Sequence, residues 1–321
     1  MRLRTIPLYC SIFLSLFMLL FVPVSVVAQT GTFDWSDDAV RVLYPGIYHA
    51  SIRTDEPRNL IINCVRIDTN EADVRFYTTE RTEDWELGEA ETIRQRTRDF
   101  LRAWRTEGVQ MVVAMNADAF SPWPAPWDEP TISTLLGLAI SDGTLVSAPN
   151  GTSSFIVYTD GRMEMAITDS ATVLDTIHTA VSGFGFALRH GEVQPSGDDL
   201  HPRTGLGLSE DRGVVFFLAV DGRRHASRGI TVHEVGTWLK HFGAHDGINM
   251  DGGGSTTLAW WDENLDTEDK AILLNEPIAV GSWLDKTPEE EAESYQPTER
   301  MNGNNLGVVL LGSPVATSAS E

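Results

Sequence analysis

The sequence predicts an α+β fold: a mainly antiparallel or mixed β-sheet core built from hairpins, with a few packing helices, in a single domain. Three observations carry this. Asp142-Gly143, Asp160-Gly161 and Asp221-Gly222 each stand between β-prone runs, and Asp-Gly so placed marks a tight hairpin turn. Helical, amphipathic spacing is confined to two stretches, 89–106 and 231–243. No internal repeat or linker divides the 321 residues, and their 42% hydrophobic content is enough for one sizeable core.

Along the chain, Arg2 and Arg4 precede an apolar block from Ile6 to Val27 that ends in small residues at Ala28. That is the layout of a secretory signal peptide over 1–28, and it places the mature protein outside the cytoplasm, secreted, periplasmic or at the cell surface. The alternative is an uncleaved membrane anchor, since the block is long enough to span a bilayer; Pro23 and the small residues favour cleavage. Pro45–Ala50 and Asn59–Asp68 read as opening strands. In 89–106, Ile93, Phe100, Leu101 and Trp104 make an apolar helical face that stops at Gly108. Val109–Met115 is a buried strand, followed by a loop, 121–127, that carries Trp123 and Trp127 among prolines. Its indoles suit either stacking on sugar rings or packing of the loop itself.

Two hairpins follow, 136–140 with 144–146 and 155–158 with 163–166, then a strand over Gly183–Leu188 that turns at His190-Gly191. Val214–Val220 is continuously apolar and strand-like up to Asp221-Gly222. Thr231 and Glu234 form a capping box for a helix that ends at Gly243. The acidic stretches 262–269 and 285–299 read as exposed loops around a short strand in 272–278, and 306–311 is a last buried strand. The mature domain is 29–312, and 313–321 is a polar tail.

Formal charge is −22, which repels nucleic acid and anionic membranes and excludes both as partners once the signal is removed. With Cys10 in the signal, Cys64 is alone and lies in an apolar run, so no internal disulfide forms and the thiol is inert. His233, His241 and His245 show no metal-ligand spacing, and His241 and Asp246 read as helix-end or turn residues.

The chemistry centres on Gly247–Leu258, where Asn249 and Asp251 lead into Gly252, Gly253, Gly254 and Ser255. Consecutive glycines are costly to order and are tolerated where the backbone needs positive φ or something must approach it closely. The flanks predict strand, tight turn, strand. No Lys-Ser/Thr follows the glycines and no G-x-G-x-x-G opens a helix, so a nucleotide loop is excluded; Ser255 is not in a G-x-S-x-G elbow. Residues 201–228 hold five arginines against three acids, a local positive excess suited to a phosphate. Of these, Arg212, Arg223 and Arg224 read as a surface ion-pair network. The remaining cluster of Asn116, Asp118, Arg203, Thr204, Asn249, Asp251, Ser255 and Asn304 suits a polyhydroxylated, anionic ligand.

A strand ending Asn116-Ala117-Asp118-Ala119-Phe120, then Pro202-Arg203-Thr204-Gly205-Leu206-Gly207, Asn249–Thr256 and Gly303-Asn304-Asn305-Leu306-Gly307-Val308 together resemble the phosphodiester glycosidase domain family over roughly 110–311. Two positions depart from its pattern: Asp118 replaces the usual glycine, and Arg300-Met301-Asn302-Gly303 replaces an Arg-Pro-Val approach. The resemblance implies an exported hydrolase that cleaves a sugar-1-phosphodiester in a glycoconjugate or wall polymer. On this reading Arg203 and the amides of Gly252–Gly254 hold the phosphate, and Asp251 or Asp118 activates water or stabilises the sugar cation. Asn116, Thr204, Asn249, Ser255 and Asn304 orient hydroxyls and phosphate oxygens. No cofactor is required, and a divalent cation is compatible with the hard oxygens of Asp118 and Asp251. The rival readings are a glycoside hydrolase acting on a phosphate-free polysaccharide and a non-catalytic glycan-binding module.

Overall fold

The computed structural model describes residues 31–123 and 126–312. The signal segment, the tail and Pro124-Ala125 of the Pro/Trp loop lie outside the described residues. With strands numbered along the chain, the largest sheet runs β1 (Arg41–Tyr44), β2 (Ile47–Thr54), β3 (Leu60–Asp68), β17 (Val214–Val220), β16 (Arg203–Leu208), β18 (Asp246–Asn249), β14 (Gly185–Arg189), β15 (Glu192–Val193). A second sheet is ordered β10 (Thr144–Ser147), β9 (Ala139–Ser141), β13 (Ile177–Gly183), β11 (Thr152–Tyr158), β12 (Met163–Thr168). A third is ordered β20 (Ala271–Leu273), β19 (Leu258–Trp261), β6 (Met111–Asn116), β21 (Asn305–Leu310), β4 (Val74–Thr78). The short strands β5 (Thr92–Ile93), β8 (Ile132–Leu135) and β7 (Phe120–Ser121) make the last. Neighbouring strands in these sheets pair antiparallel, and three helices, α1 (Thr97–Thr106), α2 (Val232–Phe242) and α3 (Pro288–Ser294), accompany them. The fold is mainly β within the α+β class.

Strand β17 explains the layering. Successive side chains point to opposite faces, and both faces are covered, so the strand is apolar without alternation. Val215, Phe217 and Ala219 enter the core shared with the second and third sheets, alongside Phe76, Val113, Phe155, Leu206, Ile248 and Leu258. Val214, Phe216, Leu218 and Val220 face the other way, onto Val235, Leu239 and Phe242 of α2. Helix α2 starts where its capping box predicts: Thr231 Oγ1 accepts from Glu234 N at 3.1 Å, and Glu234 Oε2 accepts from Thr231 N at 2.8 Å. It ends at Gly243 in the left-handed region, φ 111°.

Several expectations are corrected. Asp221-Gly222 is no hairpin: β17 pairs with β16 and β3, and the chain then loops away towards α2. Asp221 is instead a buried acceptor for Asn275 Nδ2 (2.9 Å) and Glu276 N (3.0 Å). The run Gly183–Leu188 breaks at the exposed Phe184, which separates β13 from β14 in another sheet. The glycine stretch likewise joins strands of two sheets, β18 and β19, through a 3-10 turn at Gly253–Ser255, so its flanking strands do not pair with each other. Helix α1 begins only at Thr97, because 92–93 are drawn into β5. The strand expected in 272–278 is limited to β20, and 285–299 contains α3 behind a Thr287/Glu290 capping box. No helix among the described residues is long and apolar enough to cross a membrane.

Candidate active site

The end of β18 is held between two other strands. Met250 N donates to Thr204 O (3.0 Å), Asp251 N to Ala117 O (3.0 Å) and Gly253 N to Pro202 O (2.8 Å). Asn116, at the end of β6, ties the same segments with its side chain. Its Oδ1 accepts from Thr204 Oγ1 (2.8 Å) and Thr257 N (3.0 Å), and its Nδ2 donates to Asp251 O (2.7 Å). Asn116 and Thr204 are fully buried, so both brace the loop rather than face a ligand.

Gly253 and Gly254 each lie against a guanidinium, and Gly252 lies against the Pro202 carbonyl and the aliphatic stem of Arg203. A Cβ on Gly252 would sit 3.7 Å from Arg203 Cδ, and one on Gly253, at φ +62°, would sit 2.9 Å from Arg223 Nη2. A Cβ on Gly254 would collide with the Ala279 carbonyl and with Arg300 Nη2. Arg203 donates only to main-chain carbonyls, Ile230 O (3.3 Å) and Asp199 O (3.2 Å). Arg300 donates to Ala279 O (2.7 Å) and reaches Ser255 Oγ at 3.5 Å. Its guanidinium carbon lies 3.9 Å from the centroid of Trp127 and 4.8 Å from that of Trp123. Among the described residues none of these three arginines forms an ion pair, although the chain carries a net −22. Burial lowers the pKa of all three, that of Arg300 to about 10 against the pull of Asp251. Partly buried cations without counter-ions are costly, and an anion over the glycine loop would relieve all three.

Asp251 is half-buried and lines a pocket of about 500 Å³ with Phe120, Trp123, Leu135, Leu136 and Phe184. Burial raises its pKa to about 6, opposed by the Ser255 hydroxyl, Arg300 and the Gly252 N–H. Ser255, itself fully buried, thus links the carboxylate to Arg300. The wall is mostly apolar, with Ser121 and Thr134, and its one carboxylate, Asp251, feels the positive charge of Arg300.

Other expected residues turn inward. Asp118 is fully buried; Oδ1 accepts from Ser182 N (2.8 Å) and Oδ2 from Asn304 Nδ2 (2.7 Å), and burial pushes its pKa well above the carboxylate range. Asn304 is occupied by Asp118, the Thr78 hydroxyl and Thr79 N. Asn249 is buried beside the loop, with an Oδ1 that has no partner among the described residues. Of the three glycine amides, those of Gly252 and Gly253 are spent on Asp251 Oδ1 (3.0 Å) and Pro202 O. Sequence reasoning placed Arg223 in a surface network and gave Arg300 no role. The signal for Arg223 was the positive excess in 201–228; Arg300 lies outside that window and was marked only as the start of the altered approach to the last strand.

Residues 110–307 match the family model described as phosphodiester glycosidase. The chain belongs to that family. Mouse N-acetylglucosamine-1-phosphodiester alpha-N-acetylglucosaminidase is 29% identical over 147 residues, 38% of this chain and 28% of the mouse protein. The match therefore spans little more than a quarter of that relative. The zebrafish catalytic domain of the same name, auto-inhibited by its pro-peptide, superposes with a TM-score of 0.55 at 18% identity, over 87% of this chain and 86% of that one. A hypothetical protein from Synechocystis gives a TM-score of 0.51 at 13% identity, over 83% and 62%. At these identities the two structures support the shared fold alone.

Proposed function

We propose that this protein is an exported hydrolase that cleaves the bond between the anomeric carbon of a sugar and a phosphodiester oxygen in a glycoconjugate or wall polymer, N-acetylglucosamine-1-phosphodiesters being the first class to test. The observation that carries the reading is the gathering, around one glycine loop, of three arginines that form no ion pair among the described residues and of a pocket that bears the carboxylate of Asp251. A neutral glycan would leave those cations uncompensated, which disfavours the phosphate-free polysaccharide.

In the proposed reaction Arg203, Arg223 and Arg300 bind the phosphate oxygens, and the sugar lies in the pocket against Trp123 and Phe184. The C1–O bond breaks with its electron pair on the phosphate oxygen, and the guanidiniums stabilise the charge as it grows. The departing phosphate monoester is a good leaving group, so a strong general acid is unnecessary, unlike the usual pair of carboxylates in glycosidases. With its pKa at about 6, Asp251 is mostly ionised at neutral pH and takes the proton of the water that adds to C1. Asp118 acts through Asn304 and Ser182 as a positioning residue, since its oxygens are occupied and shielded. Three cations at the loop supply the charge a divalent ion would otherwise bring, and they oppose binding of one there.

The test compares hydrolysis of an α-N-acetylglucosamine-1-phosphate methyl diester with that of the matching methyl glycoside. Turnover of the diester alone is expected, and lost in Arg203→Ala with the fold intact by circular dichroism. Turnover of the neutral glycoside alone, or retained turnover in Arg203→Ala, overturns the reading; a diester bound but recovered uncut identifies a binding module instead.

A further inference from the structure

Away from the glycine loop, at the opposite end of β18, two histidines and an aspartate come together. The antiparallel register pairs Leu188 of β14 with Gly247 of β18. Continued two residues outward, that register sets His190 opposite His245, fifty-five positions apart in sequence. His190 and Gly191 form the two-residue turn between β14 and β15, both in the left-handed region at φ 52° and 75°, the geometry that suits a tight hairpin. The turn is clamped where it stands: His190 N donates to Asp246 Oδ1 (2.7 Å) and Gly191 N to His245 O (2.8 Å). Asp246 is buried, and its second oxygen takes Arg212 Nη1 at 2.5 Å.

We propose that His190, His245 and Asp246 form a binding site for a divalent transition-metal ion of the zinc type. One ligand atom from each residue lies within 4.8 Å of the others, a separation that small rotations of the two side chains not fully buried close to a coordination sphere. No hydrogen bond engages either imidazole among the described residues; the nearest approach is His190 Nδ1 to Asp246 Oδ1 at 3.8 Å, beyond hydrogen-bond reach. The ring centroids are 6.1 Å apart and tilted by 57°, so the rings are not stacked on each other. Two nitrogens and one carboxylate oxygen select zinc, cobalt or nickel over magnesium or calcium, which take oxygen ligands. Arg212 Nη1 on Asp246 Oδ2 and the His190 N–H on Oδ1 fix the aspartate as outer-shell partners do in metal sites. Water fills the remaining position on the exposed side of His190. The ion would fasten the β14–β15 turn to the start of the strand that carries Asn249 and leads into Asp251, bracing the catalytic loop from behind.

The test is isothermal titration calorimetry of the EDTA-stripped full chain with zinc chloride in a non-chelating buffer, repeated with magnesium chloride. One saturable zinc site and no magnesium heat are expected. His190→Ala, which removes an exposed side chain, and His245→Ala should each weaken zinc at least tenfold while keeping the circular dichroism spectrum. Cobalt should give visible d–d absorption in the wild type that both variants lose. No saturable zinc heat up to millimolar concentration, or equal affinity in the wild type and both variants, would overturn the proposal. Hydrolysis by the metal-free protein is measured separately, so loss of the zinc site and loss of the proposed activity are told apart.

Discussion

Replacing Arg300 by glutamine is the most informative single change at the glycine loop. The guanidinium lies against Gly254, contacts Ser255, and helps keep Asp251 ionised. Two consequences follow from one substitution. First, a donor to the departing phosphate is lost; removing one comparable donor from an oxyanion site costs about 2.7–4 kcal/mol, or about 10²–10³ in kcat. Second, Asp251 loses a stabilising positive neighbour while its burial remains, so its pKa moves up from about 6. The base must be ionised to act, hence the acid limb of kcat/KM, centred near 6 in the wild type, shifts to higher pH in the variant. The assay is kcat/KM for a sugar-1-phosphodiester from pH 4 to 9, with the melting temperature followed in parallel. Arg300 is buried, donates to the Ala279 carbonyl and stacks on Trp127 and Trp123, so the glutamine should also cost about 1–3 kcal/mol of stability, and rates are compared well below the variant's melting temperature. An unchanged acid limb with less than a tenfold loss of kcat would refute both the phosphate contact and the coupling to Asp251.

Asp251→Asn should abolish turnover, and it should also alter the pH dependence of stability. A carboxyl whose folded pKa is raised contributes stability that is complete below its unfolded pKa and lost as pH rises through the folded value. The wild type should therefore fall progressively behind Asp251→Asn in melting temperature as pH rises from about 4 to about 6, and run parallel to it above that; parallel curves over the whole range from pH 4 to 8 would contradict the raised value. Gly254→Ala should lose activity as completely as Arg300→Gln, because the added Cβ meets the Ala279 carbonyl and the Arg300 guanidinium; wild-type rates would show that the loop yields freely. Phe217→Ala, in the core between the sheets, should cost about 3–5 kcal/mol in urea unfolding with the site chemistry unchanged at low temperature; a loss below about 1 kcal/mol would contradict tight packing there.

The sequence makes the local units legible. Asp142-Gly143 and Asp160-Gly161 form the expected hairpins, and Thr231/Glu234 caps the expected helix, since each signal is complete within a few residues. Asp221-Gly222 misleads because the same dipeptide serves a tertiary end: Asp221 accepts from Asn275 and Glu276, and a Cβ on Gly222 would meet Pro202 N at 2.6 Å. At the candidate site, the segments singled out in the sequence do come together, and several of their side chains turn inward. Asn116, Thr204, Asn304 and Asp118 come to the glycine loop but spend their polar atoms on each other and on the backbone. Polar residues that brace a loop and polar residues that bind a ligand look alike in sequence. Arg223 and Arg300 are missed for the converse reason: what marks them is the lack of an acidic partner in three dimensions, a property no spacing reveals. The pairing of His190 with His245 is hidden in the same way, being set by the register of β14 on β18.

The most direct test is a crystal structure of the protein with a non-hydrolysable sugar-1-phosphodiester analogue. The phosphate should lie over Gly252–Gly254 within hydrogen-bond distance of Arg203, Arg223 and Arg300, with the anomeric carbon facing Asp251 and the ring between Trp123 and Phe184. A phosphate held elsewhere, or a sugar bound with those three guanidiniums empty, would contradict the assignment of the loop as the site of phosphodiester cleavage.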